Sequence, residues 1–316
     1  MLAFSLGNGW ARWAVVGHGA SGLGILILTP WKSVIARRGL KRHHSGACAS
    51  MTFALFVAIA MAAGIGHGTG LLRAWGGGLT AMQVHVGAAI ACLPFGVWHV
   101  MARRMRFRRT DLSRRAFLRA GLLLGGSVVT YGSVAGLVRA AGFPGRARRL
   151  TGSYESGSLR PEEMPVTQWL FDGVPEVDGA EWRLSLRNGD GAFETRSLEE
   201  LNALSEPVRA TIDCTGGWYA EQEWQGVRLE RLLPSAADGR SILARSVTGY
   251  SRRFPVGDAS KLWLAVQVGG RALSAGHGFP ARIVAPGRRG FWWVKWLVSL
   301  EASDVPWWWQ PPFPVS

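Results

Sequence analysis

The sequence predicts a multi-domain protein in which a four-span α-helical membrane bundle is followed by an α+β domain. Its length of 316 residues suggests two domains. Residues 1–150 contain one acidic residue and carry a net charge of +18, whereas residues 151–316 carry −3. A basic half with long apolar segments is typical of a membrane domain with cationic loops. This uneven distribution argues against nucleic-acid binding, although the whole chain carries +15.

Four apolar segments are long enough, at about 1.5 Å per residue, to cross a hydrocarbon core of about 30 Å. None has an acidic residue or a lysine in its middle. They predict a bundle over residues 1–140, a linker over 141–165 and the α+β domain over 166–316. The spans lie at about residues 13–30, 47–66, 80–102 and 116–138.

The charges of the loops predict the orientation of the spans. Five Lys and Arg residues lie between spans one and two and seven between spans three and four, but only Arg73 lies between spans two and three. Cytoplasmic loops are the basic ones. We therefore expect a multi-pass protein of the inner (plasma) membrane, with the lipid bilayer as a partner. The chain from about Arg146 onward is expected on the periplasmic or extracellular side.

The fourth span begins with an arginine pair in the sequence "SRRAFLRA", at Arg114 and Arg115. Its Ser, Phe and Leu resemble those of twin-arginine signals, which direct the export of folded proteins. We interpret the span as an uncleaved signal-anchor and expect the twin-arginine export machinery as a partner. The alternative is that both arginines are only cations of a cytoplasmic loop.

Histidines in the first half predict two haems within the spans. His85 and His99 are fourteen residues apart, so they point to one side of a helix about 21 Å apart along its axis. Neutral imidazole is a common haem-iron ligand. Matching depth pairs His18 with His85, and His44 with His99. His43 is the alternative to His44, and His67 is a weaker candidate. No Cys-x-x-Cys-His motif occurs, which excludes c-type haem. The spans resemble bacterial b-type cytochrome membrane domains, with "HGASG" in span one and "PFGVWHVMARR" at the end of span three, and this resemblance implies haem b.

The second half reads as short strands and turns, with one short helix. "WRLSLRNGDGAF" alternates and then turns at Asn-Gly-Asp-Gly, which predicts a hairpin. "SLEELNAL" has helical spacing behind a Ser cap. "ATIDCTGGW" predicts a strand that enters a glycine turn, and "KLWLAVQVGGRAL" a strand–turn–strand. "ARIVAPG" and "VKWLVSLE" predict further strands, so the mixture indicates an α+β domain.

Cys214 is the single cysteine of this second half. It follows a predicted strand and precedes two glycines, where backbone approaches a ligand closely. A lone thiol in an oxidising compartment is a candidate for reactivity, and a thiolate is a soft metal ligand. The alternative is a buried, inert cysteine.

Two motifs resemble the sulfite-oxidase family of molybdopterin enzymes, which includes periplasmic methionine sulfoxide reductase catalytic subunits. They are "IDCTGGWYAEQEWQGVRL" and "SAGHGFPARIVAPGRRGFWWVKWLVSLE", and the resemblance covers about residues 150–316. It implies a sulfite-oxidase-like molybdopterin-binding domain with molybdenum. In such a domain Cys214 is the catalytic thiolate bound to the metal, with Thr215 beside it. The resemblance implies cofactor contacts from His277, Arg282, Arg288, Lys295 and the backbone of 287–290.

The chain departs from this family after the cysteine. Sulfite oxidases place an arginine a few residues later to hold the sulfite dianion, whereas here Gly216, Gly217 and Trp218 follow. Arg252 or Arg253 from another loop is the alternative anion ligand. The Trp307–Trp309 cluster is expected foremost to cap the core, and otherwise to line the pocket mouth or reach the lipid interface.

Together these features predict a membrane-bound molybdenum oxidoreductase that exchanges electrons with the quinone pool through b haems. The absent arginine favours reduction of an S-oxide or N-oxide. One alternative is a sulfite dehydrogenase that passes electrons to quinone. The other is a haem-containing redox sensor or electron carrier with a non-catalytic outer domain.

Overall fold

The computed structural model describes residues 10–42, 46–73, 79–102, 112–168, 172–236 and 239–311. They form two compact units that meet in sequence between Gly152 and Ser153. Four apolar helices precede a β-rich domain, so the predicted order of architectures is confirmed.

In the described part of the first unit, four helices are long and apolar enough to cross a membrane. Their side chains expose many large apolar groups, as expected of surfaces that face lipid. The helices are α1 (Trp10–Arg42), α2 (Ala47–Thr69), α3 (Ala81–Ala102) and α4 (Arg114–Ala140).

Helix α1 continues well beyond Pro30, where the predicted first span ends. Proline lacks an N–H and so removes the helical hydrogen bond to the Leu26 carbonyl, yet the helix continues through it, with hydroxyl hydrogen bonds on either side. Thr29 Oγ1 donates to the Ile25 carbonyl at 2.9 Å, and Ser33 Oγ donates to the Pro30 carbonyl at 2.7 Å. The proline therefore lies inside the helix, and part of the expected basic loop is helical.

Helix α4 begins at the arginine pair. Ser113 caps it, since its hydroxyl accepts the Ala116 N–H at 3.2 Å. Arg114 and Arg115 thus lie in the first turn, where the helix dipole favours anions rather than cations. Helix stability therefore does not account for this pair of cations.

The second unit contains two mixed sheets in its described residues. One has the order β1-β5-β8-β10, with β4 paired to β5 and β9 to β8; the other has the order β3-β2-β11-β6-β7. The pairs β1–β5 and β11–β2 are parallel. The strands are β1 (Tyr154–Glu155), β2 (Arg183–Arg187), β3 (Phe193–Ser197), β4 (Glu206–Asp213), β5 (Trp218–Arg228), β6 (Ser241–Ser246), β7 (Ser251–Pro255), β8 (Trp263–Val268), β9 (Arg271–Ala272), β10 (Arg282–Val284) and β11 (Leu297–Ser303). Two short helices accompany them, α5 (Leu198–Leu204) and α6 (Leu229–Leu232).

Local sequence signals in this unit are confirmed. Strands β2 and β3 pair as an antiparallel hairpin around the predicted Asn-Gly-Asp-Gly turn. Ser197 and Glu200 form a capping box at the start of α5. Apolar residues of both sheets join one buried cluster, and Trp224 on β5 is completely buried in it.

The predicted linker over residues 141–165 is too long. Its second part belongs to the β domain, because Tyr154 in β1 is buried and pairs with Trp218 of β5. Ser153 is also buried, and its hydroxyl donates to the Asp213 carboxylate at 2.5 Å. Polar composition suggested a linker, but tertiary hydrogen bonds order this segment.

The expectation that the tryptophan cluster caps the core is wrong. Trp308 is 60% exposed and Trp309 is 69% exposed. Gln310 fixes this segment at the sheet edge through hydrogen bonds with the Arg253 backbone. Hydrogen bonds between the Gln310 side chain and the Arg253 backbone, rather than burial of the indole rings, position this segment.

Candidate functional site

Cys214 lies in a tight turn that joins strands β4 and β5. Its N–H donates to the Trp218 carbonyl at 2.8 Å, and its carbonyl accepts the Gly217 N–H at 3.2 Å. Gly217 has φ of 91°, a left-handed conformation that favours glycine. The predicted strand and glycine turn are therefore present, and they hold the cysteine in one orientation.

The Cys214 thiol is 7% exposed, and the Gly216 N–H donates to its sulfur at 3.3 Å. Burial raises the pKa of the thiol, while the Gly216 bond and the charges of Arg289 and Lys295 act in the opposite direction. A thiolate at this position therefore needs a further positive partner, which a bound metal ion provides.

The Cys214 side chain lines a partly open pocket with a cavity volume of about 60 Å³. Aromatic side chains form much of its wall. The lining residues are Thr167, Gln168, Asp172, Cys214, Thr215, Ser246, Tyr250, Gly290, Phe291, Trp293, Lys295 and Trp296.

A buried ion pair fixes the backbone on which Cys214 lies. Arg289 is 7% exposed and forms a salt bridge with Asp213. Its second terminal nitrogen donates to the Cys214 carbonyl at 3.0 Å. One arginine thus holds both the residue before the cysteine and the cysteine itself.

Arg282 is buried without a carboxylate partner among the described residues. Its terminal nitrogens donate to the carbonyls of His277 and Trp293, at 2.9 and 3.4 Å. The guanidinium lies over the rings of Trp224 and Trp293, and its buried Nε has no described hydrogen-bond acceptor. Burial lowers the pKa of Arg282 to about 10, and nearby Cys214 opposes this shift.

Lys295 is likewise held by backbone. Its ammonium donates to the carbonyls of Gly276 at 2.6 Å and Thr167 at 2.9 Å. Burial lowers its pKa to about 7; the positive charge of Arg282 lowers it further, while Cys214 and Asp172 raise it. A negatively charged ligand beside Lys295 would restore its positive charge.

These features fit an anionic cofactor attached through a metal to the cysteine. Arg282 is a buried cation with carbonyl acceptors and no carboxylate partner in the described structure, and such a charge is costly without an anion. Lys295 is partly buried, and carbonyls hold its ammonium as well. The backbone of Gly290 packs closely against Cys214, since a Cβ at Gly290 would lie 3.1 Å from Cys214 Cα.

His277 is buried close to both cations, and its ring is bonded within the protein. Nε2 lies 2.9 Å from the Met164 carbonyl and Nδ1 lies 2.8 Å from Ser274 Oγ. Because a carbonyl only accepts, Nε2 donates and Nδ1 accepts in the neutral ring. Burial and then the charge of Arg282 lower the pKa of His277, which favours that neutral form.

The remaining predicted residues divide into two groups. Thr215 lines the pocket directly after Cys214. Arg288 does not line it; it forms a salt bridge with Asp258 and lies over the Trp292 ring. Arg252 stacks on the same ring at 4.3 Å and is also absent from the pocket wall.

Sequence reasoning missed five polar residues of the pocket: Thr167, Gln168, Asp172, Ser246 and Tyr250. The buried Tyr250 hydroxyl donates to the Phe291 carbonyl, and burial raises the pKa of the phenol. Tyr250 lies just before Arg252 and Arg253 in the sequence "TGYSRRFP", and only the two arginines were considered as ligands there. Asp172 had no local signal, because its proximity to Cys214 arises only in the fold.

In the helical unit the structure brings together one of the two predicted histidine pairs. The Nε2 atoms of His18 and His85 are 3.4 Å apart. His85 Nδ1 is 2.7 Å from the Ala60 carbonyl and therefore carries the proton there, which leaves Nε2 as the free lone-pair atom. His99 stacks on Phe53, with ring centroids 5.6 Å apart. Its expected partner His44, and also His43, lie outside the described residues.

Comparisons with known proteins agree with the geometry of the β domain. Residues 171–308 match the family model of the oxidoreductase molybdopterin binding domain. The chain is 25% identical over 213 residues to the putative protein-methionine-sulfoxide reductase subunit YedZ1 of Azospira oryzae, which covers 61% of this chain and 81% of that protein. It is 27% identical over 175 residues to mitochondrial sulfite oxidase of Rattus norvegicus, which covers 43% of this chain.

That alignment spans 32% of the sulfite oxidase, so the chain matches about a third of that enzyme. Among solved structures, the sulfane dehydrogenase SoxCD from Paracoccus pantotrophus matches with a TM-score of 0.43 and 25% identity, over 47% of this chain and 44% of that one. The family match and the aligned relatives lead to one assignment. Residues 171–308 therefore carry an oxidoreductase molybdopterin-binding domain of the sulfite-oxidase type.

Proposed function

We propose that this protein is a membrane-bound molybdenum oxidoreductase that reduces an S-oxide or N-oxide with electrons from the quinone pool. The observation that carries the proposal is a buried cysteine, Cys214, which lines a pocket next to Arg282 and Lys295, two cations that backbone carbonyls hold. Molybdenum held by a pterin supplies two-electron oxygen-atom chemistry when bound. Cys214 would hold the metal, and Arg282 and Lys295 would hold the anionic part of the cofactor.

The charge of the pocket supports an oxide substrate over sulfite. Among the described lining residues, Lys295 is the cation, and no arginine faces the pocket. A sulfite dianion would meet one ammonium that two carbonyls already hold, together with the carboxylate of Asp172. A neutral oxide has no such repulsion, and its apolar body fits the aromatic wall.

The sulfite oxidases among the relatives motivate the competing function, a sulfite dehydrogenase. Two assays on the purified full chain separate them. We expect quinol-dependent reduction of methionine sulfoxide or trimethylamine N-oxide, and little reduction of a quinone analogue by sulfite. Rapid quinone reduction by sulfite without oxide reduction would replace our proposal with this alternative.

Electron transfer through b haems is the second part of the proposal. The Nε2 atoms of His18 and His85 support it, because they lie 3.4 Å apart and imidazole nitrogens are common ligands of haem iron, so both side chains would hold one haem. The carbonyl that fixes the His85 tautomer is a typical outer partner of a metal-bound imidazole. His44 and His99 would hold the other haem.

Haem content tests this arrangement directly. The pyridine haemochrome of the wild-type chain should give two haems b per chain, and His85→Gln should give one. His67→Gln is the matched control, since its imidazole bonds to the Gly152 carbonyl at 2.5 Å rather than to a histidine. Zero haem in the wild-type protein, or equal losses in both variants, would exclude the His18–His85 site.

We further propose that the arginine pair of α4 directs the β domain through the twin-arginine machinery. Cations at a helix N-terminus oppose the helix dipole, so another role must account for them. Replacement of Arg114 and Arg115 by lysine keeps the charge, and we expect it to leave residues 153–316 in the cytoplasm. If these residues in the variant still reach the periplasm, as shown by protection from cytoplasmic protease, the arginines act only as topology cations.

A further inference from the structure

The pocket beside Cys214 has an acidic residue on its wall. Asp172 lines it, and its Oδ2 accepts a hydrogen bond from Thr248 Oγ1 at 3.3 Å. Thr248 Oγ1 lies 3.1 Å from Ser246 Oγ, which also lines the pocket. The carboxylate therefore lies at the end of a short hydroxyl chain that fixes its position.

The Asp172 carboxylate has no directly bonded cation within the described structure. Neither Asp172 oxygen forms a salt bridge there, and its described hydrogen bond comes from a neutral hydroxyl. The arginines that follow the Pro-Gly turn have other partners, Arg289 with Asp213 and Arg288 with Asp258. Asp172 therefore presents negative charge to whatever enters the pocket.

The electrostatic influence of Asp172 reaches the substrate side of the site. Its charge acts on both Lys295 and Tyr250, which line the same pocket. Partly buried charges interact more strongly than charges in water, because solvent screens them less. A ligand in this pocket is thus subject to both charges, that of Lys295 and that of Asp172.

We propose that Asp172 is the specificity-determining residue of the pocket, excluding oxyanions and favouring neutral or cationic oxides. This inference rests on the proposed function and refines its substrate class. Ligands that carry an ammonium group near the S-oxide or N-oxide gain attraction from the carboxylate. Ligands that carry two negative charges meet repulsion that Lys295, already bonded to two carbonyls, does not offset.

Isothermal titration calorimetry on the full-length holoenzyme in detergent tests the inference with three probes of different charge. These are sulfate, dimethyl sulfoxide and the cationic methyl ester of methionine sulfoxide. Asp172→Asn should bind sulfate about tenfold more tightly and the cationic ester about tenfold more weakly, as expected for loss of one nearby charge. Binding of dimethyl sulfoxide should change less than twofold.

Asp304→Asn is the matched control, because it removes the same charge from an exposed residue that does not line the pocket. It should leave all three affinities unchanged, and Asp172→Glu should keep the wild-type order. Asp172→Ser gives a second charge-free variant if the asparagine variant folds poorly. Equal affinities in the Asp172 and Asp304 variants, or tight sulfate binding by the wild-type protein, would overturn the inference. Neither binding outcome depends on turnover, so failure of oxide reduction is a separate result.

Discussion

The charged side chains on the two sides of the Cys214 turn differ in the partners that they contact. On the buried side, Arg289 has a carboxylate partner, and Arg282 is enclosed by two indoles and backbone carbonyls. On the pocket side, Asp172 is bonded to one hydroxyl and faces open space. The difference indicates that the buried side fixes the cysteine and its cofactor, whereas the pocket side selects the ligand.

Removal of the buried ion pair should give the largest effect on stability. Arg289→Met leaves the Asp213 carboxylate buried without its ion-pair partner, which costs about 3–5 kcal/mol. The control Arg209→Met removes an exposed pair with Glu221, which contributes at most about 1 kcal/mol. Thermal unfolding followed by tryptophan fluorescence measures both, since eleven of the sixteen tryptophans lie beyond residue 150. Similar melting temperatures for the two variants would contradict the structural role of Arg289.

Substitution of Arg282 should affect cofactor binding more than the stability of the apoprotein. Arg282→Met removes a buried cation together with its bonds to two carbonyls, so the apoprotein should lose no more than about 2 kcal/mol. Molybdenum retained after purification should fall more than tenfold, because the anionic cofactor loses a buried partner. Metal content and apoprotein melting are measured on the same preparation. A variant that keeps its molybdenum would assign Arg282 to the protein core alone.

The lowered pKa of Lys295 predicts that the stability of the apoprotein depends on pH. Its folded-state pKa of about 7 lies below the ordinary lysine value of 10.5, so the unfolded chain binds more protons between these values. Stability should therefore rise as the pH increases from about 7 towards 10, and Lys295→Met should reduce this rise. Melting temperatures of apoprotein at pH 7, 8 and 9 test the sign. Bound anionic cofactor should flatten the profile, since a neighbouring negative charge raises the lysine pKa.

Substitution of Arg288 should have the smallest effect on stability, although Arg288 is adjacent to Arg289. Its salt bridge with Asp258 is partly exposed, so Arg288→Gln should cost at most about 1 kcal/mol. Molybdenum content should match wild type, because the guanidinium of Arg288 is already paired with the Asp258 carboxylate. Loss of molybdenum in this variant would instead support the cofactor role that the family resemblance implies for Arg288.

Local signals in the sequence predicted much of the fold. The Asn-Gly-Asp-Gly turn and the Ser197 cap act between residues a few positions apart, so their patterns are visible in the chain. The hydrophobic lengths of the four helices are visible for the same reason. The extent of α1 was not visible, because proline commonly ends a helix, whereas Pro30 lies inside this one.

The site was predicted in part. The cysteine turn and the lysine follow from a motif, and the structure brings Cys214 and Lys295 to one pocket. The pairing of Arg289 with Asp213 joins residues 76 positions apart, and no spacing rule indicates it. Asp172 approaches the pocket only through tertiary packing, so composition gave no signal of an acidic wall. The exposed tryptophans show that aromatic content alone does not predict burial.

Molybdenum K-edge X-ray absorption of the full-length protein and its Cys214→Ser variant tests the central claim most directly. The account predicts molybdenum in the wild-type protein, with one more sulfur ligand than in the variant. Oxide reduction should disappear together with that sulfur. Wild-type protein without molybdenum, or equal numbers of sulfur ligands in both proteins, would contradict the account.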